Sequence, residues 1–473
     1  MTRYFWVLLH RYGGLAMAGF LIIVGLTGSL LAFFTELEQI INPHWYPVHA
    51  TAMDGGSNGS RPFAALSPSM RVGSAAIGRE SMRLQEKALD AATLAERVEL
   101  REPRLQVGQI SLEGLYGGGT VAWVTPRTDP ATGEPYELGY NNIILEPVTG
   151  AEIERRTWGA ISEGRRNLMS FVYELHYSLA LDMTGVWILG ICALIWTLDC
   201  FVGFYLTLPA RRKPRSLDTA QQNPGITVDS PLPDCARTVS GRPSNRSFWQ
   251  RWQPAWKIRW RAGSYKLNFD LHRAGGLWLW AMLLIFAWSS VSMNLWDTVY
   301  TWTTRAVFDY KAPWTELRPL DKPLEQPLLN WRQAQARGEA LMSEQAHFHD
   351  FVVEHPVMLK LDRETGTYTW QVRSNREIDD HSRRYTTQVI FDANNGELKL
   401  VLLPSGQYTG NTISNWLYAL HMANVFGLPY RIFVCLLGLA IALLSITGIV
   451  IWLKKRRAAR LMRKTGSVSC DCG

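Results

Sequence analysis

Cysteine is scarce in this 473-residue chain, and its placement excludes a disulfide scaffold. The six cysteines are Cys192, Cys200, Cys235, Cys435, Cys470 and Cys472, and none lies in the two long polar stretches, 36–182 and 297–428. Those stretches must therefore hold themselves together by packing and hydrogen bonding alone. The terminal Cys470-Asp471-Cys472 reads as a solvated, disordered tail in preference to a metal site. Nucleotide chemistry has no foothold either: the sequence has no phosphate-binding loop, no dinucleotide fingerprint and no Ser/His/Asp arrangement, so no NAD(P)H or flavin site of its own is expected. The net charge of +8 is concentrated locally, which argues against a nucleic-acid partner.

Charge is missing altogether from three long apolar runs, Tyr12–Thr35, Ala274–Trp296 and Ile432–Leu453; a fourth, Met183–Ala210, carries only Asp199. A bilayer span needs about 20 predominantly apolar residues, so the chain is expected to cross a lipid bilayer four times. The first run lacks a small-residue cleavage site and reads as an uncleaved anchor. Basic residues set the orientation. Between Pro209 and Asp270 there are twelve Lys/Arg against four Asp/Glu, and the tail after Leu453 carries Lys454, Lys455, Arg456, Arg457, Arg460, Arg463 and Lys464 against Asp471. Both segments and the N-terminus are thus expected in the cytoplasm, with the protein in a bacterial inner membrane.

The expected organisation is a first span over 1–35, an outer domain over 36–170, and an outer histidine segment with the second span over 171–208. A cytoplasmic loop follows over 209–265, then a third span over 266–298 and a second outer domain over 299–412. A histidine segment with the fourth span occupies 413–453, and a cytoplasmic tail 454–473. Within the loop, 216–247 is polar, Pro-rich and expected to be disordered. The following Trp249, Trp252, Trp256 and Trp260, interleaved with Arg251, Lys257, Arg259 and Arg261, suit a headgroup-level segment.

The unit span–domain–span occurs twice. Leu9-His10-Arg11-Tyr12-Gly13-Gly14-Leu15 opens the first span and Leu271-His272-Arg273-Ala274-Gly275-Gly276-Leu277 the third; Tyr173-Glu174-Leu175-His176 and Tyr418-Ala419-Leu420-His421 precede the second and fourth. The outer domains echo each other in Ile143–Gly150 and Val389–Gly396, each an apolar run, a turn whose glycine supplies positive φ, and a second strand (Ala151–Arg155, Glu397–Leu402). Each reads as a small α+β domain, and Ser81–Leu100 is the clearest helix of the first. The fold class is therefore a mainly α membrane protein with four transmembrane helices in a duplicated unit and two outer α+β domains.

Only four of the ten histidines follow leucine: His10, His176, His272 and His421. All sit at span ends, where an ionisable side chain is costly and marks function. His10 and His272 share the cytoplasmic side, and His176 and His421 the outer side, each of the outer two on a short surface helix that breaks before its span. Neutral imidazole ligates zinc, copper and haem iron. Paired imidazoles from different helices without Cys or carboxylate suit a six-coordinate haem, whereas a structural zinc site wants four ligands. Gly13, Gly14, Gly275 and Gly276 either clear a helix surface for a porphyrin or permit close helix packing. Arg11 and Arg273 either pair with haem propionates or snorkel. Asp199 either orients a ligating imidazole or bonds a neighbouring helix. His347, His349, His355 and His381 read as scattered surface histidines.

These residues resemble the PepSY-associated transmembrane helix family, the iron-regulated inner-membrane proteins, over nearly the whole chain. The resemblance rests on Leu9-His10-Arg11, Asp270-Leu271-His272-Arg273, Glu174-Leu175-His176, Leu420-His421 and the Thr-Gly and Asn-Gly hairpins. It implies PepSY-like periplasmic domains, two haem b groups, and reduction of ferric siderophores at the periplasmic face with release of iron(II). Some relatives carry a fused flavin reductase domain; here the donor is expected to be a separate cytoplasmic protein or a quinol. A quinol-linked carrier for another periplasmic acceptor and a haem-free PepSY sensor are the alternatives. Trp158, Arg165 and Arg166 are candidate docking residues, with interfacial anchoring as the other reading.

Overall fold

The computed structural model describes residues 2–46, 88–113, 120–210, 247–379 and 386–466, with side chains to 460. The expected disorder of 216–247, the Cys-Asp-Cys tail, His381 and most of 81–90 fall outside the described residues.

Among the described residues three helices are long and apolar enough to cross a membrane: α1 (Arg3–Leu31), α5 (Asp182–Thr207) and the run Gly427–Arg460 of α13 (Gly427–Gly466). The third expected span is not one straight helix. It divides into α7 (Ser264–Trp278) and α8 (Trp280–Asn294), bent by 70° at Leu279. Gly275 and Gly276 sit in the turn before the bend, a usual cause of a kink. The indoles on either side donate outside the helix, Trp278 Nε1 to Trp256 O at 3.2 Å and Trp280 Nε1 to Cys200 O at 2.9 Å. The chain divides into two compact units, one formed by 1–22, 194–287 and 440–473, the other by 23–193 and 288–439.

The second unit contains an eight-stranded antiparallel sheet in the order β4-β3-β2-β1-β5-β6-β7-β8. Its strands are β1 (Leu105–Ser111), β2 (Thr120–Pro126), β3 (Asn142–Leu145), β4 (Glu152–Arg156), β5 (Val353–Asp362), β6 (Thr367–Ser374), β7 (Thr387–Asp392) and β8 (Leu398–Leu402). This corrects the expectation of separate outer domains. The two halves share one sheet, joined where Ile110 of β1 pairs with Leu359 of β5. The junction removes two strand edges that would otherwise expose unpaired backbone groups. The hairpin turns are as read from the sequence, with Gly150 at φ 67° and Gly396 at φ 71°.

Helices α3 (Ala91–Arg101) and α11 (Trp331–His349) pack on one face of that sheet in a single core of Leu94, Leu105, Leu341, Leu359, Trp370 and Phe391. Of the helix expected over Ser81–Leu100, the described part is α3 from Ala91, where the Asp90 carboxylate accepts from Thr93 N at 2.7 Å and caps it. Past the end of α1, α2 (Phe34–Ile41) carries Glu38, which meets Arg156 of β4 at 3.2 Å with both side chains essentially fully buried. The guanidinium lies between the rings of Trp45 (4.3 Å) and Trp158 (4.9 Å), which compensates part of its desolvation.

His176 and His421 sit on short helices, α4 (Leu168–Ser178) and α12 (Thr409–His421), each joined to the following long helix by a tight break. Those breaks hold five non-glycine residues at positive φ, namely Leu179, Ala180, Asp182, Ala423 and Phe426. Such backbone costs of order 1–3 kcal/mol per residue and persists only where surrounding contacts impose it. At the first break a Cβ on Gly185 would fall 1.5 Å from Ser178 O, so only glycine allows α5 to start there.

Candidate functional site: two histidine pairs

In the first unit, His10 of α1 faces His272 of α7 with ring centroids 6.0 Å apart. In the second, His176 of α4 faces His421 of α12 at 6.2 Å. Imidazoles opposed across one metal ion, each nitrogen about 2 Å from it, place their centroids roughly 6 Å apart. The structure thus brings together the pairs expected from sidedness.

Each imidazole is held at Nδ1. His10 Nδ1 donates to both oxygens of Asp199, at 2.8 and 3.0 Å. His272 Nδ1 donates to Leu444 O at 3.0 Å and lies 3.1 Å from Thr447 Oγ1. His176 Nδ1 lies 2.9 Å from Thr27 Oγ1, whose own hydrogen goes to Ile23 O at 2.8 Å, so the imidazole must be the donor. His421 Nδ1 lies 2.7 Å from Ser289 Oγ. Carboxylate and carbonyl oxygens only accept, and Thr27 has spent its hydrogen. Nδ1 therefore carries the proton in His10, His272 and His176, and in the neutral ring the Nε2 lone pair remains. That is how a ligating histidine is held by its supporting partner.

Three glycines missed in the sequence press against these rings. A Cβ at Gly28 would sit 2.9 Å from His176 Cε1, at Gly203 3.5 Å from His10 Cε1, and at Gly448 3.4 Å from His272 Cε1. The signal was the spacing of the repeat. Thr27 and Ser289 each lie 17 residues after His10 and His272; Asp199 and Leu444 lie 23, and Gly203 and Gly448 lie 27, after His176 and His421. Leu444 hides in that comparison because its backbone oxygen, not its side chain, is the acceptor.

The four glycines singled out from the sequence divide by role. Gly14 and Gly276 have open space where a side chain would go and line a cavity beside the first pair. Gly13 packs on Ile195 at 3.6 Å and Gly275 on Leu444 at 3.4 Å, as close helix packing requires. The cavity measures about 490 Å³ and is walled mainly by apolar side chains, Trp196, Phe204, Leu283 and Ile449 among them, with Arg3, Arg11, Arg273 and Lys455 also on its lining. It falls inside the range of about 300–1,000 Å³ usual for cofactor sites. The two arginines are not equivalent. Arg273 Nη2 is held by Asp270 Oδ1 at 3.0 Å and Pro254 O at 2.7 Å, while Arg11 has no ion pair among the described residues.

Among the described residues no group of three or more His, Cys, Asp or Glu is placed to hold a metal ion unaided. A metal between either pair would take its remaining ligands from a non-protein group, and the first pair's cavity has room for one. The other histidines stay apart: His355 Nε2 bonds Glu113 Oε1 at 2.9 Å beside Arg373, and His347 and His349 end α11. Of the candidate docking residues, Arg166 is committed to Glu154 and Glu163, Trp158 packs on Trp123, and Arg165 is exposed. In the tryptophan-rich segment Trp252 is buried and Trp249 and Trp260 are exposed.

Apolar membrane-length helices define a multi-span membrane protein, and two histidine pairs accompany them. The PepSY-associated TM region family matches residues 7–455, and the chain belongs to that family. No match is found among curated proteins.

Proposed function

We propose that the protein holds two haem b groups, one between His10 and His272 and one between His176 and His421, and carries electrons across an inner membrane to a ferric siderophore. The observation that carries this reading is the Nδ1 hydrogen bond on each of four imidazoles paired about 6 Å apart. Haem, when bound, supplies one-electron chemistry at an iron whose potential its axial ligands and their surroundings set.

The chain's own residues supply the rest. Asp199, Leu444 O, Thr27 and Ser289 fix ring orientation, and an acceptor on Nδ1 raises the basicity of Nε2. Gly14 and Gly276 leave a side-chain-free surface four residues beyond His10 and His272 on the same helix faces. Arg11 offers a cation for a carboxylate at the cavity. The mainly apolar lining lowers the local dielectric, which strengthens electrostatic control of the site. The basic loop and tail support a cytoplasmic position for the first pair and an outer position for the second. Hard oxygen chelators hold iron(III) far more tightly than iron(II), so one electron loosens the complex without cutting the ligand.

The test is the absorption spectrum and haem content of the purified protein, followed by anaerobic reduction and a panel of ferric siderophores with a ferrous trap. Two haems per chain and rapid reoxidation with trapped iron(II) are expected. One haem per chain refutes the pairing. Haems that stay reduced with every chelate but oxidise with quinone refute the acceptor.

A further inference from the structure

The face of the sheet opposite the shared core carries, beside an apolar cluster of Ile390, Leu400 and Leu402, a polar patch that is buried. Along β6, Thr367, Thr369 and Gln371 alternate with Tyr368, Trp370 and Val372 of the core, and Thr386 and Gln388 continue the polar side beside them. Such side chains belong at solvent, and burying them without partners is costly. Here α12 lies over them, and between helix and sheet is a cavity of about 320 Å³.

Its walls hold polar atoms without a partner among the described residues. Thr369, Gln388 and Asn415 are each at least nine-tenths buried and line the cavity. Gln388 accepts from Gln371 and Asn415 donates to Pro404 O, but among the described residues nothing bonds Thr369 Oγ1, Gln388 Nε2 or Asn415 Oδ1. Two lysines join them. Lys360 is 3.3 Å from Asp362, and Lys311 lies 5.6 Å over the Tyr408 ring with no carboxylate partner among the described residues. The site therefore offers hydroxyl and amide groups and a spare positive charge. Its volume is at the small end of ligand sites, about 300–1,000 Å³.

The cavity also connects to the second histidine pair. Ser414 lines it and stands two turns before His421 on the same helix face. Ser414 Oγ lies 2.7 Å from Tyr300 Oη. Tyr310, also in the lining, is 6.1 Å from Tyr300, and Tyr300 is 5.8 Å from Trp288, the neighbour of the Ser289 that holds His421. Tyr300 and Tyr310 are buried, so the path is free of bulk water.

We infer that this cavity is the docking site of the electron acceptor, and that the acceptor is a small anionic ferric chelate of the hydroxycarboxylate class. The chelate's carboxylates meet Lys311, since Lys360 is already paired with Asp362 of the same lining, and its hydroxyl and remaining oxygens meet Thr369, Gln388 and Asn415. One electron, supplied by the reductant that has reduced the protein, converts iron(III) to iron(II); no bond of the organic ligand breaks. The aromatic side chains serve as packed medium for the electron and are not themselves oxidised. This rests on the reductase reading above, and the test separates the two.

Binding is measured by calorimetry on the full-length oxidised protein with gallium(III) citrate, which has the charge and shape of the ferric complex but is not reduced. Saturable one-to-one binding is expected, weakened about ten-fold or more by Lys311→Gln and by the near-isosteric Thr369→Val. No saturable binding, or binding unchanged in both variants, overturns the proposal. The result stands whether or not the protein reduces iron, because gallium reports docking alone. With ferric citrate, Tyr300→Leu is expected to slow reoxidation of the reduced protein while gallium binding persists, and Tyr300→Phe to restore the rate. Equal rates in all three proteins overturn the route and, with it, the assignment of the cavity to the acceptor.

Discussion

Replacing Thr27 with valine isolates the support of one imidazole from everything else in the second pair. Valine matches threonine in shape and removes only the hydroxyl. The hydroxyl is nine-tenths buried and sits 2.9 Å from His176 Nδ1. Without it the Nδ1–H loses its acceptor in a dry site, which costs about 1–3 kcal/mol. The ring can escape that penalty by moving its proton to Nε2, but the lone pair that ligates a metal is then gone. Either way the ligated state is weakened, by about 10–100-fold as found for supporting partners of metal-bound histidine. The assay is the rate at which haem passes from the purified protein to an excess of a haem-scavenging protein, followed in the Soret band. Thr27→Val is expected to lose one haem faster than the parent and keep the other, and Thr27→Ser to behave as the parent. Equal loss rates and midpoint potentials in Thr27→Val and parent would refute both the tautomer argument and the assignment of His176 as a ligand.

Other outcomes follow from the same geometry. Asp199→Asn keeps an oxygen acceptor for His10 Nδ1 but removes a negative charge 2.8 Å away. It should raise the midpoint potential of one haem and leave the other unchanged in a redox titration. Gly276→Leu projects a side chain into open cavity space and should cost the first haem while the second remains, read as halved haem content. Just past β6, burial pushes the Glu377 carboxyl up to about 7 although Thr387 donates to it at 3.0 and 3.1 Å. The folded state then binds a proton that the unfolded state has released between about 4.5 and 7. Stability is full below that window and falls as pH rises through it, by at most about 3 kcal/mol. Glu377→Gln should abolish this slope in chemical denaturation. Glu113 runs the other way: the His355 and Arg373 bonds outweigh its burial and hold it down to about 2. Its contribution is present above about 4.5 and lost as pH falls toward 2, so Glu113→Gln should remove acid sensitivity in that window.

Much of this protein is written locally. Absence of charge over Tyr12–Thr35 and Ile432–Leu453 marks membrane-length helices, because a bilayer core tolerates little else. The glycines at 150 and 396 mark hairpin turns, because positive φ suits few other residues. The repeated Leu-His steps at His10, His176, His272 and His421 mark the candidate site, and a break was expected between the short helix of His176 or His421 and the span that follows. What tertiary structure alone decided involves partners far apart in the chain. The pairing of β1 with β5 merges two expected domains into one sheet, since either edge pattern could as well have faced solvent. Gly275 and Gly276 permit the 70° bend at Leu279, but the oxygens that the flanking indoles meet, Trp256 O and Cys200 O, come from elsewhere in the chain. The partners of the four Nδ1 atoms are Asp199, Leu444 O, Thr27 and Ser289, one carboxylate, one backbone oxygen and two hydroxyls, and of these only Asp199 stood out in the sequence. Sequence spacing fixes which face of a helix a side chain occupies, but only packing against another helix fixes what that face meets.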